Sequence, residues 1–471
     1  MIQPRRLTVA FTLFVALTLP QRDATAQDAA RVLTLGEALA QLEETNLDIA
    51  AAAQQVEVAE MQLRQARTVI YPTLALDAVY TLNDDQVSFG GGNPYAPLEP
   101  YITAVYDEFG EARGLDDPAE LFAFEPPGGV AQNRHDVRGS LTIEQTLFNA
   151  RSRAGVRLID ARVGVAEAGV AQASYLLTEP LIEAYYGAVL AQRVVDIRER
   201  ERALAALALE RAEAALASEV GNRFEVTRAE VSVTLADRAL DNARLAYALA
   251  REGVAALLVV PMDFEVEAPP ARSVPSDVSD DRAFAADRPD LRVIDAQLTA
   301  QGFQLNQIRG QWFPVIIGQF QLSGARQTAF SGDPLRWSLT VAANWMLFDA
   351  GYRRYARRVE EEHTLALELE RRRSEAQISS GLRSLAIQIA QEQENVSASG
   401  AQVALAEESL ALAESALALG VASTLDVQVA REQLAQAELA QATSEISLQA
   451  LLARLEWARA QGGSGAEASA P

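Results

Sequence analysis

The chain has 471 residues, 49% of them hydrophobic, and a formal net charge of −23. That is enough apolar material for a sizeable core, while the acidic balance leaves no phosphate-tracking surface and so argues against nucleic acid as a partner. Cysteine is absent, which excludes disulfides, thiolate metal sites and the acylated cysteine of a lipoprotein.

The N-terminus opens with Arg5 and Arg6, continues as an apolar run from Leu7 to Leu19 and reaches Ala24-Thr25-Ala26. This pattern predicts a secretory signal peptide over residues 1–26. The run is too short for a stable spanning helix, and no later stretch reaches about 18 uncharged apolar residues. Any membrane attachment of the exported chain must therefore come from its fold.

From Thr45 to Thr68 apolar and alanine positions recur at helical spacing, within a helix read from Thr34 to Ile70, until Pro72 forces the chain out of helix. Leu74, Leu76, Ala78, Tyr80 and Leu82 then alternate with Thr73, Ala75, Asp77, Val79 and Thr81, the period of a half-buried strand. An insertion within Thr81–His135, acidic and rich in glycine and proline, reads as a disordered, solvated loop, with a specific lid or receptor site as the alternative. A second strand alternates Val137, Gly139, Leu141 and Ile143 with Arg138, Ser140, Thr142 and Glu144, and leaves through "LFNARSRA". An alanine-rich helical pattern follows from Ala150 to Ala217, about 100 Å of helix at 1.5 Å per residue, with Pro180 expected to bend or break it. The turn "VGNRFEV" leads into a helix from Glu225 to Leu258, and a segment rich in Pro, Asp and Ser, residues 261–281, ends this half.

The second half repeats the first. Asp48, Leu63, Arg67 and Pro72 recur as Asp290, Leu305, Arg309 and Pro314 at one constant shift. Strands follow at Ile316–Leu322 and Trp337–Trp345, "LFDAGYRRYA" echoes "LFNARSRA", and "LGVASTLDV" echoes "VGNRFEV" around a long helix from Gly351 to Leu419. Such internal repetition fixes the organisation before any local reading: signal peptide 1–26, first repeat 27–260, linker 261–281, second repeat 282–460 and a Gly/Ser/Ala tail 461–471, read as disordered. In each repeat the shorter helices together match the long one, so two end-to-end helices are expected to line one long partner.

Alternating strands of about ten residues suit a soluble sheet or a transmembrane barrel. Export, and the aromatics Tyr71, Tyr80, Trp337 and Trp345 at strand ends, favour the barrel. Four strands cannot close one, since about eight is the minimum, so several copies must pool theirs; three would supply twelve.

Glu225 and Asp426 each stand three positions after a capping residue, Asn222 and Ser423, and so fit the third position of a helix-start capping box. His135 and His363 lie far apart in sequence, and His363 beside Glu360, Glu361 and Glu362 reads as a solvated helix face, so no metal is assigned. With no nucleophile elbow and no phosphate-cradling glycine loop, neither an enzyme nor a cofactor is expected.

The duplicated "YP" and "FP" before a strand, the "LFNA" and "LFDAG" exits and the two glycine turns, in this order, make the chain resemble the TolC-like outer-membrane efflux protein family. The resemblance implies an α+β membrane protein: a homotrimer with a twelve-stranded barrel in outer-membrane lipid, four strands from each subunit, and a long-helix α-barrel tunnel in the periplasm. It implies an exit duct serving a periplasmic adaptor and an inner-membrane transporter of the RND or ABC type, for efflux or type I secretion. It further implies adaptor docking at the hairpin tips, Gly221, Asn222 and Arg223 with Gly420, Ser423 and Thr424. Glu225 and Asp426 become acids of a cation-attracting entrance, where a second ring acid of the family falls on Val429. The other readings are an exported soluble coiled-coil scaffold and a periplasmic binding protein or enzyme; the latter lacks a site of convergent polar groups.

Overall fold

The computed structural model describes residues 31–85, 87–89, 96–113, 118–119, 129–132, 134–275, 288–325 and 335–463. The signal peptide and residues 464–471 of the tail lie outside the described residues. In chain order the elements are β1 (Arg31–Leu33), α1 (Leu35–Thr45), α2 (Leu47–Arg67), β2 (Thr73–Leu82), β3 (Val87–Phe89), α3 (Glu99–Arg113), β4 (Gly129–Gln132), β5 (His135–Phe148), α4 (Ala150–Ala217), α5 (Arg223–Leu258), β6 (Phe264–Val266), α6 (Pro289–Gly310), β7 (Val315–Ala325), β8 (Leu335–Asn344), α7 (Tyr352–Ala418) and α8 (Thr424–Gly463). The helix–strand–strand–helix–helix order therefore occurs twice, as the repeat requires.

Three local readings change. The single helix expected from Thr34 to Ile70 is divided at Asn46, whose Oδ1 accepts from the amides of Asp48 (2.8 Å) and Ile49 (3.3 Å); a short amide side chain that satisfies the first amides of α2 starts a new helix there. Pro180 does not break α4, which runs through it. A mid-helix proline costs roughly 3 kcal/mol, and the burial of Leu181 and Ile182 beside it offsets that cost. The insertion is not all loop: it holds α3 and an antiparallel β3–β4 ribbon.

The chain divides into two compact units. The first, residues 1–41 and 183–271, contains the parallel pair β1–β6, with Leu33 beside Val266. Three-residue strands have little ladder of their own. Tyr185 sits buried behind them, its hydroxyl 2.8 Å from the Leu33 carbonyl and 2.7 Å from that of Glu267, and burial drives its pKa upward. Phe264–Val266 thus forms a strand inside the stretch read as a linker. The 183–217 part of α4 is bridged to α5 by Arg202–Asp237 (2.9 Å) and Glu199–Arg244 (2.8 Å); exposed pairs of this kind contribute about 0.2–1 kcal/mol each, so they select register more than stability.

The second unit, residues 42–182 and 272–471, shows how a long helix is covered. Leu291 and Ile294 of α6 pack on Ile378 of α7, and Leu448, Leu452 and Leu455 of α8 pack on Leu385 and Ile389 farther along the same helix. Helices of 22 and 40 residues therefore line one of 67, as expected. Each fully buried leucine or isoleucine contributes roughly 1.5–3 kcal/mol. Trp457 of α8 stacks on Tyr175 of α4 at 4.1 Å, and the buried Arg288 guanidinium lies 4.7 Å over the same ring; burial pushes the Tyr175 hydroxyl up to about 12.

The same unit holds a four-stranded antiparallel sheet in the order β2-β5-β7-β8. Its register aligns the two repeats: Leu76, Leu141, Leu322 and Trp337 form one row, and Ile143, Phe320 and Leu339 belong to the next. A one-residue slip would turn either strand's apolar set to the other face.

Candidate functional site

Because the register is in phase, every side chain on one face of the sheet from Leu74 to Tyr80, Val137 to Ile143, Ile316 to Leu322 and Leu335 to Ala343 is apolar or glycine. The charges Asp77, Asp136, Arg138, Glu144 and Arg336 all fall on the other face. The apolar face is uncovered on the edge strands: Leu76 is 78% and Leu339 66% exposed. Ten residues span about 33 Å and, tilted by about 40°, cover about 25 Å, the height of the apolar band of a membrane barrel. Aromatics bracket it. Tyr71, Trp312 and Trp345 lie at the helix end, with Trp345 Nε1 donating to the Trp312 carbonyl at 3.1 Å. Tyr80 stacks on His135 at the far end and meets its Nδ1 at 2.8 Å, and Trp337 stacks on Phe320. Among the described residues no helix is long and apolar enough to cross a membrane.

The twice-written exit phrase is the corner between sheet and long helix. Asn149 accepts from the Ser152 amide at 3.0 Å at the start of α4. Asp349 does more: it accepts from the amides of Gly351 and Arg353, both at 3.1 Å, and from Arg353 Nε at 2.5 Å. Gly351 takes φ +90°, which its missing Cβ permits. Arg353 is only 4% exposed; it lies 4.3 Å over the Trp312 ring and donates to the Gln311 carbonyl at 3.1 Å. These donors hold the Asp349 carboxyl below its ordinary range. Gly310 completes the corner, since a Cβ there would stand 2.7 Å from the Arg151 nitrogen at the start of α4.

At the other end of the long helices are two hairpin turns, one in each compact unit. In the α7–α8 turn Gly420 takes φ +72°, and Val421 and Ala422 donate to the Ala416 carbonyl at 2.9 and 3.2 Å. In the α4–α5 turn Val220 and Gly221 donate to the Ala215 carbonyl at 3.1 and 2.9 Å. The hydrogen bonds therefore align Gly420 with Glu219, at φ +61°, and not with Gly221. Matching the two turns by their glycines misaligns them. Gly221 answers a different need: a Cβ there would stand 2.9 Å from the Leu216 nitrogen. Glu219→Gly, relieving a left-handed residue at some entropic cost, should stabilise the protein by about 0.5–1 kcal/mol. A raised melting temperature checks it.

The Ser423–Asp426 capping box forms in both directions, and at the other tip Asn222 caps the start of α5. Asn222 Oδ1 accepts from the Glu225 amide at 3.0 Å. Ser423 Oγ accepts from the Asp426 amide at 3.3 Å, while Asp426 Oδ2 accepts from the Ser423 amide and hydroxyl, both at 2.7 Å. The Ser423 hydroxyl first, then its amide, lowers the Asp426 pKa, so this tip keeps its charge at neutral pH. Glu225 and Asp426 belong to different units, each at its own tip. Sequence reasoning missed the apolar residues there: Val220 and Phe224 at one tip, Leu419 and Val421 at the other, are exposed. Apolar residues placed singly next to glycine in turns carry no periodic signal. Thr424 begins α8, Arg223 begins α5, and Val429 is exposed one turn into α8. His363 meets Glu360 at 3.2 Å, and Glu360 also accepts from Gln301 at 2.6 Å. Among the described residues no group of three or more His, Asp or Glu is placed to hold a metal.

The outer membrane efflux protein family profile matches residues 283–461, the second repeat. Among solved structures the fold is similar to that of CusC (TM-score 0.69, 15% identity, covering 95% of this chain and 98% of that one). It is likewise similar to the outer-membrane channel OprN (0.67, 18%, 91% and 90%) and to the outer membrane protein VceC of Vibrio cholerae (0.66, 16%, 91% and 96%). No curated protein sequence matches the chain. The resemblance carried by the doubled motifs is borne out: the second repeat belongs to the outer membrane efflux protein family, and the chain as a whole has the fold of the outer-membrane channels.

Proposed function

We propose that the protein is the outer-membrane exit duct of a tripartite efflux or type I secretion system, passively conducting cargo delivered by an inner-membrane transporter through a periplasmic adaptor. The observation that carries this reading is the in-phase apolar face of an open four-stranded sheet, continuous in sequence with helices about 100 Å long. Among the described residues strands β2 and β8 each leave one edge unpaired, and three copies joined edge to edge close a twelve-stranded barrel in outer-membrane lipid. The polar face then lines a water-filled lumen. A soluble coiled-coil scaffold would have to cover that apolar face, and the sheet offers no cover on its edge strands. Membrane fractionation tests the choice: the protein should sediment with the outer membrane and run as a heat-modifiable trimer, and quantitative recovery in the soluble periplasm overturns the reading.

On the same reading the turns around Gly221, Asn222 and Arg223 and around Gly420, Ser423 and Thr424 dock the adaptor. The exposed Val220, Phe224, Leu419 and Val421 supply apolar contact area. Each tip contributes an acid to the periplasmic entrance, Glu225 from one and Asp426 from the other. Asp426→Asn with Glu225→Gln removes the charges and keeps acceptor oxygens for the caps. In planar bilayers the double variant should lose cation selectivity with little change in thermal stability. Unchanged selectivity with lowered stability leaves helix capping as their sole role.

A further inference from the structure

The inserted helix α3 has no place in the duct described so far. The β3–β4 ribbon extends the β2–β5 hairpin past the end of the sheet, with the Asn83 amide donating to the Arg134 carbonyl at 2.8 Å between them. Helix α3 lies in the chain between these two ribbon strands, and so belongs to the connection made at the sheet end farthest from the long helices. Tyr101, Val105 and Phe109 recur every four residues and share one helix face, and they are 72%, 63% and 51% exposed. Tyr106 is laid back over Gly110, where a Cβ would meet its ring, while the large apolar stripe of the helix is uncovered.

We propose that this stripe packs on α3 of the neighbouring copies, so that three such helices form a lid across the outer mouth of the channel. The inference rests on the reading that strands of several copies close one barrel. Two observations choose this occupant. The insertion grows from β2, the open edge where the next copy's strand must come, so it continues the surface on which copies meet. Lipid headgroups are the poorer partner: helices that lie on membranes present Lys and Arg on their polar face, whereas α3 presents Glu99, Asp107 and Glu108 against Arg113 alone. The dimensions agree. Twelve tilted strands spaced about 4.8 Å apart enclose a ring about 24 Å across, and a 15-residue helix is about 22 Å long.

The natural absence of cysteine makes the test direct. Full-length protein carrying Val105→Cys, purified in detergent and oxidised with copper phenanthroline, should shift from the monomer to the crosslinked dimer band on non-reducing gels. Asp107→Cys, on the far side of the helix, should not. Light scattering of the same samples separates the two ideas: a trimer in which the Val105→Cys variant does not crosslink overturns the lid and leaves the duct standing, while a monomer overturns both. Quenching by nitroxide lipids in vesicles of a fluorophore attached to the thiol of the Val105→Cys variant, in place of crosslinking, assigns the stripe to the membrane and also overturns the lid.

Discussion

A chain carrying Leu339→Arg is expected to vanish from the outer-membrane fraction, while one carrying Thr340→Arg remains there as a trimer. Leu339 lies mid-way along β8, opposite Phe320, on the uncharged face; Thr340 lies one residue on, opposite Gln319, on the face that carries every charge of the sheet. An arginine facing lipid at the bilayer midplane costs about 2–4 kcal/mol, and three symmetric copies incur it three times. On the proposed reading the other face lines water, where the same side chain stays solvated. Immunoblots of separated membranes, with and without heating, read the result. Equal loss of the two variants, or survival of both, removes the basis for assigning one face to lipid.

The second large effect belongs to the corner where β8 becomes α7. Arg353→Leu should lower stability by about 3 kcal/mol, because it breaks a nearly buried pair and strips the Trp312 ring of the cation above it. The mirrored change Arg153→Leu in the first repeat should do much less, since Arg153 lies 5.5 Å from the Phe148 ring. Thermal melts of the two variants compare them, and equal losses would remove the special role of the second corner. A pH dependence accompanies this corner. The folded Asp349 carboxyl titrates below its ordinary value of 3.8, so its contribution is fully present above that value and is lost as pH falls through the folded one. Asp349→Asn should therefore flatten the acid limb of the stability curve and leave neutral behaviour less affected.

The strands were legible because period two survives any environment: Leu74 to Leu82, Val137 to Ile143 and Trp337 to Val341 fall in β2, β5 and β8 on the side their alternation predicts. The long helices were legible from length and repetition, and the capping boxes from three-residue spacing. What was missed lies where local chemistry is overruled or hidden. Pro180 reads as a breaker, but buried neighbours hold the helix together through it. Asn46 looks like one polar residue among many until its side chain caps α2. The left-handed conformation of Glu219, which glycine takes in the second turn, has no signal in its residue type. β1 and β6 are three residues each, too short for any period, and depend on the Tyr185 hydroxyl behind them. The placement of Glu225 and Asp426 at helix starts was readable; their part in conduction came from the family resemblance and awaits the selectivity measurement.

On the proposed duct reading, the open edges of β2 and β8 would also govern how fast the channel appears. Among the described residues each edge carries a row of amides and carbonyls with no ladder partner, and in hydrocarbon every such group costs several kcal/mol. A lone chain therefore has no stable inserted state from which to wait for partners, and insertion and association become a single event. The rate of maturation should then rise more steeply than the first power of chain concentration.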